Sequence, residues 1–530
     1  MSTPRRRKTP RASRTARPGG TVVYDLAAEL DSPATTEFEY RRRAARYRRS
    51  GLLQLIAHMA AQFSGPQNPR GWLEPAARQY TPWALADVAR VSLAASARPR
   101  QARVAASLAD LDFLLAMHNN LDDPARSDGG GESAVMNLML RTAAEQFPFQ
   151  QGLYNVAARG AAVLLHTPFP QGKRPRCITS GWEQELFGTT LSDYVSTARV
   201  LWASALHNQG RFFMAYLTGP GADPRLGFLD PASVRRTLDA HFAIAATEFP
   251  KADREATSAS RTDHRLRRYT YNPLRGRPAV AGLGPDYLCP IPQLVWAKTT
   301  LAGLYFTGCA HFGDAFANDL GELVEQYIGQ QLGLIREATV IPEISYKQGS
   351  QNVRAVDWIV VFNDLVLLVE VKSAAPTAEN RLGGPDAWDK AADKLGRGFR
   401  QIEKTAAMIK AQHPAFHAIP HDRRVLGLVV TREPFYTANW PHANSFFPTT
   451  TVQTAVACID ELESIVTLAD TTVDRFLTEI ADDPLRHTCD LGTSLPGHTF
   501  VPNPVLDRGW RSLPWKPADT TRVARANDEI

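Results

Sequence analysis

Cysteine is scarce in this chain, with five in 530 residues. The five lie far apart along the sequence, at Cys177, Cys289, Cys309, Cys458 and Cys489. Because no two of them form a Cys-x-x-Cys pair and none belongs to a Cys/His cluster, the sequence argues against a zinc site. An odd and scattered set also argues against a disulfide framework, and it favours a reducing, cytoplasmic setting.

Long apolar segments are also missing. No apolar run approaches the roughly 18–20 residues that a membrane-spanning helix needs, and no apolar stretch follows the basic N-terminus as in a secretory signal. The absence of a P-loop pattern argues against ATP-driven translocation. A content of 44% hydrophobic and 22% charged residues is typical of a soluble globular protein without a membrane partner.

Acidic residues are absent from the first 17 positions, which carry seven arginine and lysine side chains. The whole chain has a net charge of +6, so the remainder is close to neutral. Three prolines and few apolar residues predict a disordered basic tail over residues 1–20. Such a tail either attracts nucleic-acid phosphates or is a solvated leader, and its composition fits both.

Hydrophobic periodicity divides the rest of the chain. Residues 21–300 predict a mostly helical N-terminal domain, whose stretch near 251–280 interleaves arginines with tyrosines. We interpret that stretch as a linker, with phosphate contact as a compatible role. Residues 301–440 alternate strand and helix patterns, and 441–530 predict a helical and irregular extension with a helix over 454–480. No motif in the helical domain reveals its role, so substrate positioning, regulation and binding of a partner or second copy stay open.

The most informative pattern is a predicted β-hairpin. Residues 356–362 and 365–372 are rich in β-branched and apolar side chains, and Asn363-Asp364 between them is a turn signal. A two-residue turn fixes the register of the two strands. The two residue numbers in every cross-strand pair then have the same sum, so each residue of one strand has a predicted partner on the other.

That register places Asp357 directly opposite Glu370, with β-carbons roughly 4.5–5.5 Å apart. Lys372 lies two residues beyond Glu370 and points to the same face. Two carboxylates that close repel each other, and a divalent cation such as Mg²⁺ removes the conflict. The alternative is a surface ion pair on an edge strand. Against it, Ile359 and Leu368 share this face, and so apolar a face is typical of a buried one.

Asp357 followed by Glu370-Val371-Lys372 resembles the motif of the PD-(D/E)XK nuclease superfamily, which includes many restriction endonucleases and Holliday-junction resolvases. Val356 stands where the family name has proline. The likeness covers about a quarter of the chain, roughly residues 315–435. It implies an α/β fold with a mixed-sheet, restriction-endonuclease-like core preceded by the helical domain.

Further elements match the same core. A first helix is expected around 321–328 and a first strand over 340–346. After the hairpin, a helix over 391–409 would cross over to a strand at 425–431.

The resemblance implies a Mg²⁺ or Mn²⁺ ion held by Asp357, Glu370 and the backbone carbonyl of Val371. Glu343 is either a further acid at the edge of the site or a surface residue at a strand end. Lys372 would orient or deprotonate the attacking water, or stabilise charge in the transition state. Sequence leaves these roles open.

Two helical residues complete the candidate set. Glu325 matches the family's helix acid, although the helical wheel places it nearly opposite Tyr327 and predicts a solvent-facing side chain. Glu322 is the competing acid. Gln401 falls where some members carry a helix glutamine, and a plain surface amide is its alternative.

Together these expectations describe a divalent-metal-dependent endonuclease that hydrolyses nucleic acid, DNA in preference to RNA, in a restriction or antiviral role. One alternative is a nucleic-acid-binding module on the same fold that has lost cleavage. The other is a scaffold whose helical domain recruits a partner.

Overall fold

A computed structural model of the chain describes residues 34–64, 71–74, 77–95, 104–127, 132–149, 153–220, 222, 226–258, 263–284, 286–373, 382 and 387–513. The basic tail predicted over residues 1–20 lies outside the described residues, so both of its interpretations stay predictions. The protein is mixed α/β and its N-terminal region is mainly helical, as expected.

Helices occupy most of the described chain. Those of the N-terminal region are α1 Glu37–Ala44, α2 Arg49–Ser64, α3 Pro82–Ala94, α4 Leu108–Asn119, α5 Pro124–Ser127, α6 Glu132–Gln146, α7 Leu153–His166, α8 Trp182–Phe187, α9 Leu191–His207, α10 Pro231–Thr237, α11 Phe249–Ala256, α12 Pro273–Gly276 and α13 Gln293–Ala297. The later helices are α14 Leu301–Phe312, α15 Asp314–Leu332, α16 Ala387–Lys410, α17 Pro441–Asn444, α18 Ile459–Ile465, α19 Val473–Asp482 and α20 Pro504–Arg511. No helix in the described part of the chain combines the length and apolar character needed to cross a bilayer.

A small four-stranded sheet interrupts the helical region. Its strands are β1 Arg211–Phe212, β2 Ala243–Ala245, β3 Ala279–Ala281 and β4 Tyr287–Leu288, in the order β1-β4-β3-β2. Strands of two or three residues are too short to show an alternating pattern, so periodicity could not predict them.

The larger sheet has five strands and lies in the C-terminal half. The strands of this half are β5 Thr339–Pro342, β6 Ser345–Gln348, β7 Gln351–Arg354, β8 Trp358–Val361, β9 Leu365–Lys372, β10 Arg424–Thr431 and β11 Gln453–Cys458. The order is β11-β10-β9-β8-β5, while β6 and β7 form a separate hairpin. Pairing is antiparallel from β5 to β9 and parallel from β9 to β11, so the sheet is mixed.

The predicted hairpin and its register are confirmed. Val361 pairs with Val366 and Trp358 with Val369, and the Phe362 amide donates to the Leu365 carbonyl across the turn at 2.8 Å. A two-residue turn between β-branched strands produces this register from local geometry alone.

Two predicted elements differ from the structure. The helix expected over 454–480 is wrong in its first part, because residues 453–458 form strand β11. Gly427 on β10 explains how β11 fits, since a β-carbon there would overlap the Thr454 hydroxyl. The single strand expected over 340–346 is divided into β5 and β6. Pairing with distant strands, rather than local periodicity, decides both regions.

Helices cover both faces of the five-stranded sheet. Val360, Leu367 and Val369 point to the face that packs against α15 and α18. The alternate residues, including Val366 and Leu368, point to the face covered by α16. This alternation follows from the two-residue period of a strand.

One cluster of buried apolar residues extends from α7 to α20 and includes the sheet face beside α15. Helices α7 and α20 approach each other so closely that a β-carbon at Gly509 would overlap the Ala158 carbonyl. The predicted boundaries at 300 and 440 therefore do not separate hydrophobic cores, and the division into domains stays a prediction.

Among the described residues of 251–280, part of the stretch packs into the helical region, unlike the solvated linker expected, while others of its side chains stay exposed. Arg267 is buried and pairs with Asp87 and Glu37, each through a 2.5 Å contact. Arg90 pairs with Asp253 at 2.6 Å. Buried acids on distant helices satisfy these arginines, which sequence spacing could not show. A side chain such as that of Arg267 is therefore unavailable for phosphate contact.

Candidate functional site

The candidate site lies where the chain enters β8 and leaves β9. Asp357 directly precedes β8, and its Oδ2 accepts a hydrogen bond from the Val371 amide at 2.6 Å. Lys372, the last residue of β9, pairs through Nζ with Oε1 of Glu370. The hairpin therefore brings the two acids and the lysine together, at the carboxyl ends of the parallel strands, where ligands bind in open α/β sheets.

Burial dominates the electrostatics of the acid pair. Only 5% of Glu370 is exposed, and this burial, followed by the nearby charge of Asp357, raises the pKa of Glu370. Burial also raises the pKa of Asp357. Two carboxylates in a medium of low dielectric favour either a shared proton or a cation.

Helix α16 covers the Glu370 side chain. A β-carbon added to Gly398 would lie 3.4 Å from Cγ of Glu370 and 3.0 Å from Val429. The close approach of the helix at this glycine excludes water from one side of the acid, and it accounts for the burial of Glu370.

Helix α15 places Glu325 near the acid pair. The Trp358 indole donates to the Glu325 carbonyl at 3.1 Å, and its ring lies so close to Gly329 that a β-carbon there would overlap it. Burial raises the pKa of Glu325 to about 7, with the charge of Asp357 as the next cause. The solvent-facing orientation from the helical wheel is therefore only partly met, because Glu325 is half-buried where Trp358 packs against this side of α15.

Glu343 and Gln401 surround the segment that precedes Asp357. Glu343 lies between β5 and β6, pairs with Arg354 at 3.5 Å, and its charge contributes to raising the pKa of Asp357. Gln401 on α16 donates to the carbonyls of Arg354 and Ala355 at 2.6 and 2.9 Å. The Gln401 amide thus positions the backbone leading into the site, while the Glu343 carboxylate, paired with Arg354, lies within electrostatic reach of Asp357.

Two contributors had no signal in the sequence. Thr405 on α16 accepts a hydrogen bond from the Val356 amide at 3.2 Å, which fixes the residue before Asp357. Lys173, from the loop after α7, pairs with Glu322 on α15. Glu322 therefore has a partner of its own, and Glu325 is the helix acid that interacts with Asp357. No motif surrounds Lys173, so only the fold could reveal it.

The residues present offer a divalent cation an incomplete set of ligands. Oε2 of Glu370 is buried without a hydrogen-bond partner, and the paired acid Asp357 lies across the hairpin. An oxygen of this kind fits a hard cation. Within the described ranges, however, no three acidic, histidine or cysteine side chains converge into a metal-binding cluster. The side chains thus supply two acidic ligands, and oxygens of the backbone, of water or of the substrate would supply the remaining ligands of the cation.

The raised pKa of Glu325 predicts a pH effect on stability. The folded protein holds this proton more tightly than the unfolded chain, whose pKa is near 4.5. The contribution to stability is therefore complete below about pH 4.5 and is lost as pH rises through 7. In buffer with EDTA, we expect Glu325→Gln to raise the melting temperature relative to wild type more at pH 8 than at pH 5.

Thermal unfolding followed by circular dichroism measures this difference. The matched control is Glu255→Gln, which neutralises an exposed glutamate on α11. A Glu325→Gln shift that is the same at both pH values, or that matches the control, would contradict the prediction.

The site thus combines the buried Glu370, the half-buried Asp357 and a lysine on the same strand as Glu370, and a further acid on α15, Glu325, lies within electrostatic reach of Asp357. No match was found when the chain was compared with protein-family models, with curated proteins and with solved structures.

Proposed function

We propose that this protein is a divalent-metal-dependent nuclease with a restriction-endonuclease-like core. The observation that carries the proposal is the convergence of Asp357, Glu370 and Lys372 at one end of a mixed sheet, with Glu325 beside them. The sheet order, the hairpin register and the helix on each face support the same core.

The chemistry of the proposed reaction follows from these side chains. Asp357 and Glu370 would hold Mg²⁺ or Mn²⁺, with the Val371 carbonyl and Glu343 as the further ligands that the motif implies. A bound divalent ion polarises the phosphoryl oxygen and lowers the pKa of water. Lys372 would orient the attacking water or neutralise charge that develops on the phosphate.

The properties of Glu325 fit a group that exchanges a proton during the reaction. Its pKa of about 7 lets the carboxyl exchange a proton near neutral pH, which is the property of a general acid or base. It lies beside Asp357 and is only partly buried, so water can reach it. We propose that Glu325 either accepts the proton of the attacking water or donates a proton to the leaving oxygen.

DNA is the proposed substrate because most proteins with the resembling motif cut DNA, and restriction or antiviral defence is the proposed setting. RNA cleavage is the competing outcome. An assay over supercoiled, linear and single-stranded DNA and over RNA separates the two substrates.

Metal removal is the direct test. Purified protein with Mg²⁺ or Mn²⁺ is expected to nick supercoiled plasmid, and excess EDTA should stop nicking because the two acids then lack the cation. Gel analysis of nicked and linear forms measures this, with activity restored by excess Mg²⁺ as the control. Protein that binds the plasmid without cutting it under any divalent metal would favour the non-cleaving binding module.

A further inference from the structure

The loop between α7 and α8 is fixed against the candidate site by a buried carboxylate. Asp319 on α15 is 3% exposed, and it accepts hydrogen bonds from three successive backbone amides. The amide of Arg176 donates at 2.8 and 2.9 Å, that of Cys177 at 2.7 Å and that of Ile178 at 2.9 Å. Charge-assisted bonds of this kind hold the loop firmly in one position.

The anchored loop places Lys173 at the edge of the acid cluster. Lys173 pairs with Glu322, which lies one helical turn before Glu325 on α15. Burial raises the pKa of Asp357 and of Glu325, and the positive charge of Lys173 offsets part of that rise in each. Lys173 therefore lies within electrostatic reach of the carboxylates that would perform the chemistry.

The same loop exposes further cations. Lys173, Arg174 and Arg176 are all solvent-exposed, and they lie within four positions of one another. The neighbouring acids would repel a phosphate backbone, so a polyanionic substrate needs adjacent cations to approach them. In this arrangement the cations come from the loop and the acids from the sheet and α15.

We propose that Lys173 is a substrate-binding residue that contacts a backbone phosphate next to the cleaved bond. This inference rests on the proposed nuclease function and extends it to the region N-terminal to the core. On binding, Lys173 exchanges the Glu322 carboxylate for a phosphate oxygen. The Glu322 side chain is 30% exposed, so water can solvate the released carboxylate.

Lys173→Ala is expected to weaken duplex binding about tenfold, the effect of losing one charged hydrogen bond. It should also reduce the slope of log affinity against log salt by about 1, because one phosphate contact is lost. Fluorescence anisotropy with a labelled DNA duplex measures both, in a Lys372→Ala background where the duplex stays intact. In the otherwise wild-type protein, KM should rise about tenfold while kcat changes less than twofold.

Glu322→Gln distinguishes phosphate binding from a purely structural role of the ion pair. It breaks the same pair but leaves Lys173 free, so binding should stay equal or become tighter. The matched charge control is Arg424→Ala. Arg424 pairs with Asp482 at 2.8 Å and begins β10 at the end of the sheet away from Lys372, so its loss should leave the salt slope unchanged.

The outcomes distinguish phosphate binding by Lys173 from a purely structural role of its ion pair with Glu322. Equal loss of binding in Lys173→Ala and Glu322→Gln would overturn the inference, as would an unchanged salt slope in Lys173→Ala. Wild-type protein that cuts DNA while Lys173→Ala retains full affinity would overturn the role of Lys173 alone. Wild-type protein that never cuts would instead reject the nuclease function.

Discussion

Lys372→Ala is expected to reduce metal-dependent plasmid nicking by about 10²–10⁴-fold, the range for loss of a positioned proton-transfer group. The side chain is the single cation on the strand that carries Glu370, and it contacts that carboxylate directly. Folding should survive, because the pKa of Glu370 is already raised by burial. Without the lysine, Glu370 can take up a proton rather than remain as an unpaired buried charge.

Asp357→Asn should reduce nicking at least as strongly for a different reason. Asparagine keeps the shape and can still accept the 2.6 Å hydrogen bond from the Val371 amide. It removes the negative charge that would hold the cation. Binding of DNA should therefore persist in this variant while cleavage is lost.

The control for both variants lies in the same hairpin. Asp364→Asn removes an exposed carboxylate at the turn, which is the opposite end of β9, and it should nick plasmid as wild type does. Circular dichroism and melting temperature confirm that each variant is folded. Undiminished nicking by folded Lys372→Ala and Asp357→Asn would show that the active centre is elsewhere.

Arg159→Ala should destabilise the protein by about 3–5 kcal/mol, the effect of removing one partner from a buried ion pair. Arg159 on α7 makes two 2.7 Å hydrogen bonds to the Glu463 carboxylate on α18. Tyr327 on α15 donates to the same carboxylate at 2.6 Å. The truncation would leave the buried Glu463 carboxyl without its counter-ion, at the contact between the N-terminal region and the core.

Equilibrium unfolding in urea measures this loss. The double variant Arg159→Met with Glu463→Leu should recover part of the stability, because apolar groups replace the ion pair but leave the Tyr327 hydroxyl without its acceptor. Arg475→Ala is the matched control. It breaks a solvent-exposed pair with Glu479 on α19, and exposed pairs of this kind contribute little to stability. If Arg159→Ala costs no more than this control, the pair does not hold the two regions together.

The parts of the fold that sequence predicted are those governed by local geometry. The hairpin register followed from a two-residue turn, and Asp357, predicted opposite Glu370, lies at the end of β9, where it accepts a hydrogen bond from the Val371 amide. The strand at 425–431 and the helix over 391–409 also formed as expected. The strand begins one residue earlier than predicted, and the helix extends four residues earlier and one residue later.

The parts that sequence missed depend on partners far along the chain. Residues 453–458 became a strand because β10 offers an edge to pair with. Arg267 became buried because Asp87 and Glu37 lie on other helices. Glu325 became half-buried because Trp358 packs over α15. Local periodicity carries no information about such neighbours.

The two acids and the lysine on one hairpin could be predicted from residue order, because a strand's two-residue period and a tight turn leave one register. Tertiary packing completed this site. It buried Glu370 under Gly398 of α16 and brought Glu325 within electrostatic reach of Asp357. Through Asp319, it also fixed a loop from the helical region so that Lys173 reaches the same edge. These placements arise from contacts between segments tens to hundreds of residues apart, which packing rather than local geometry selects.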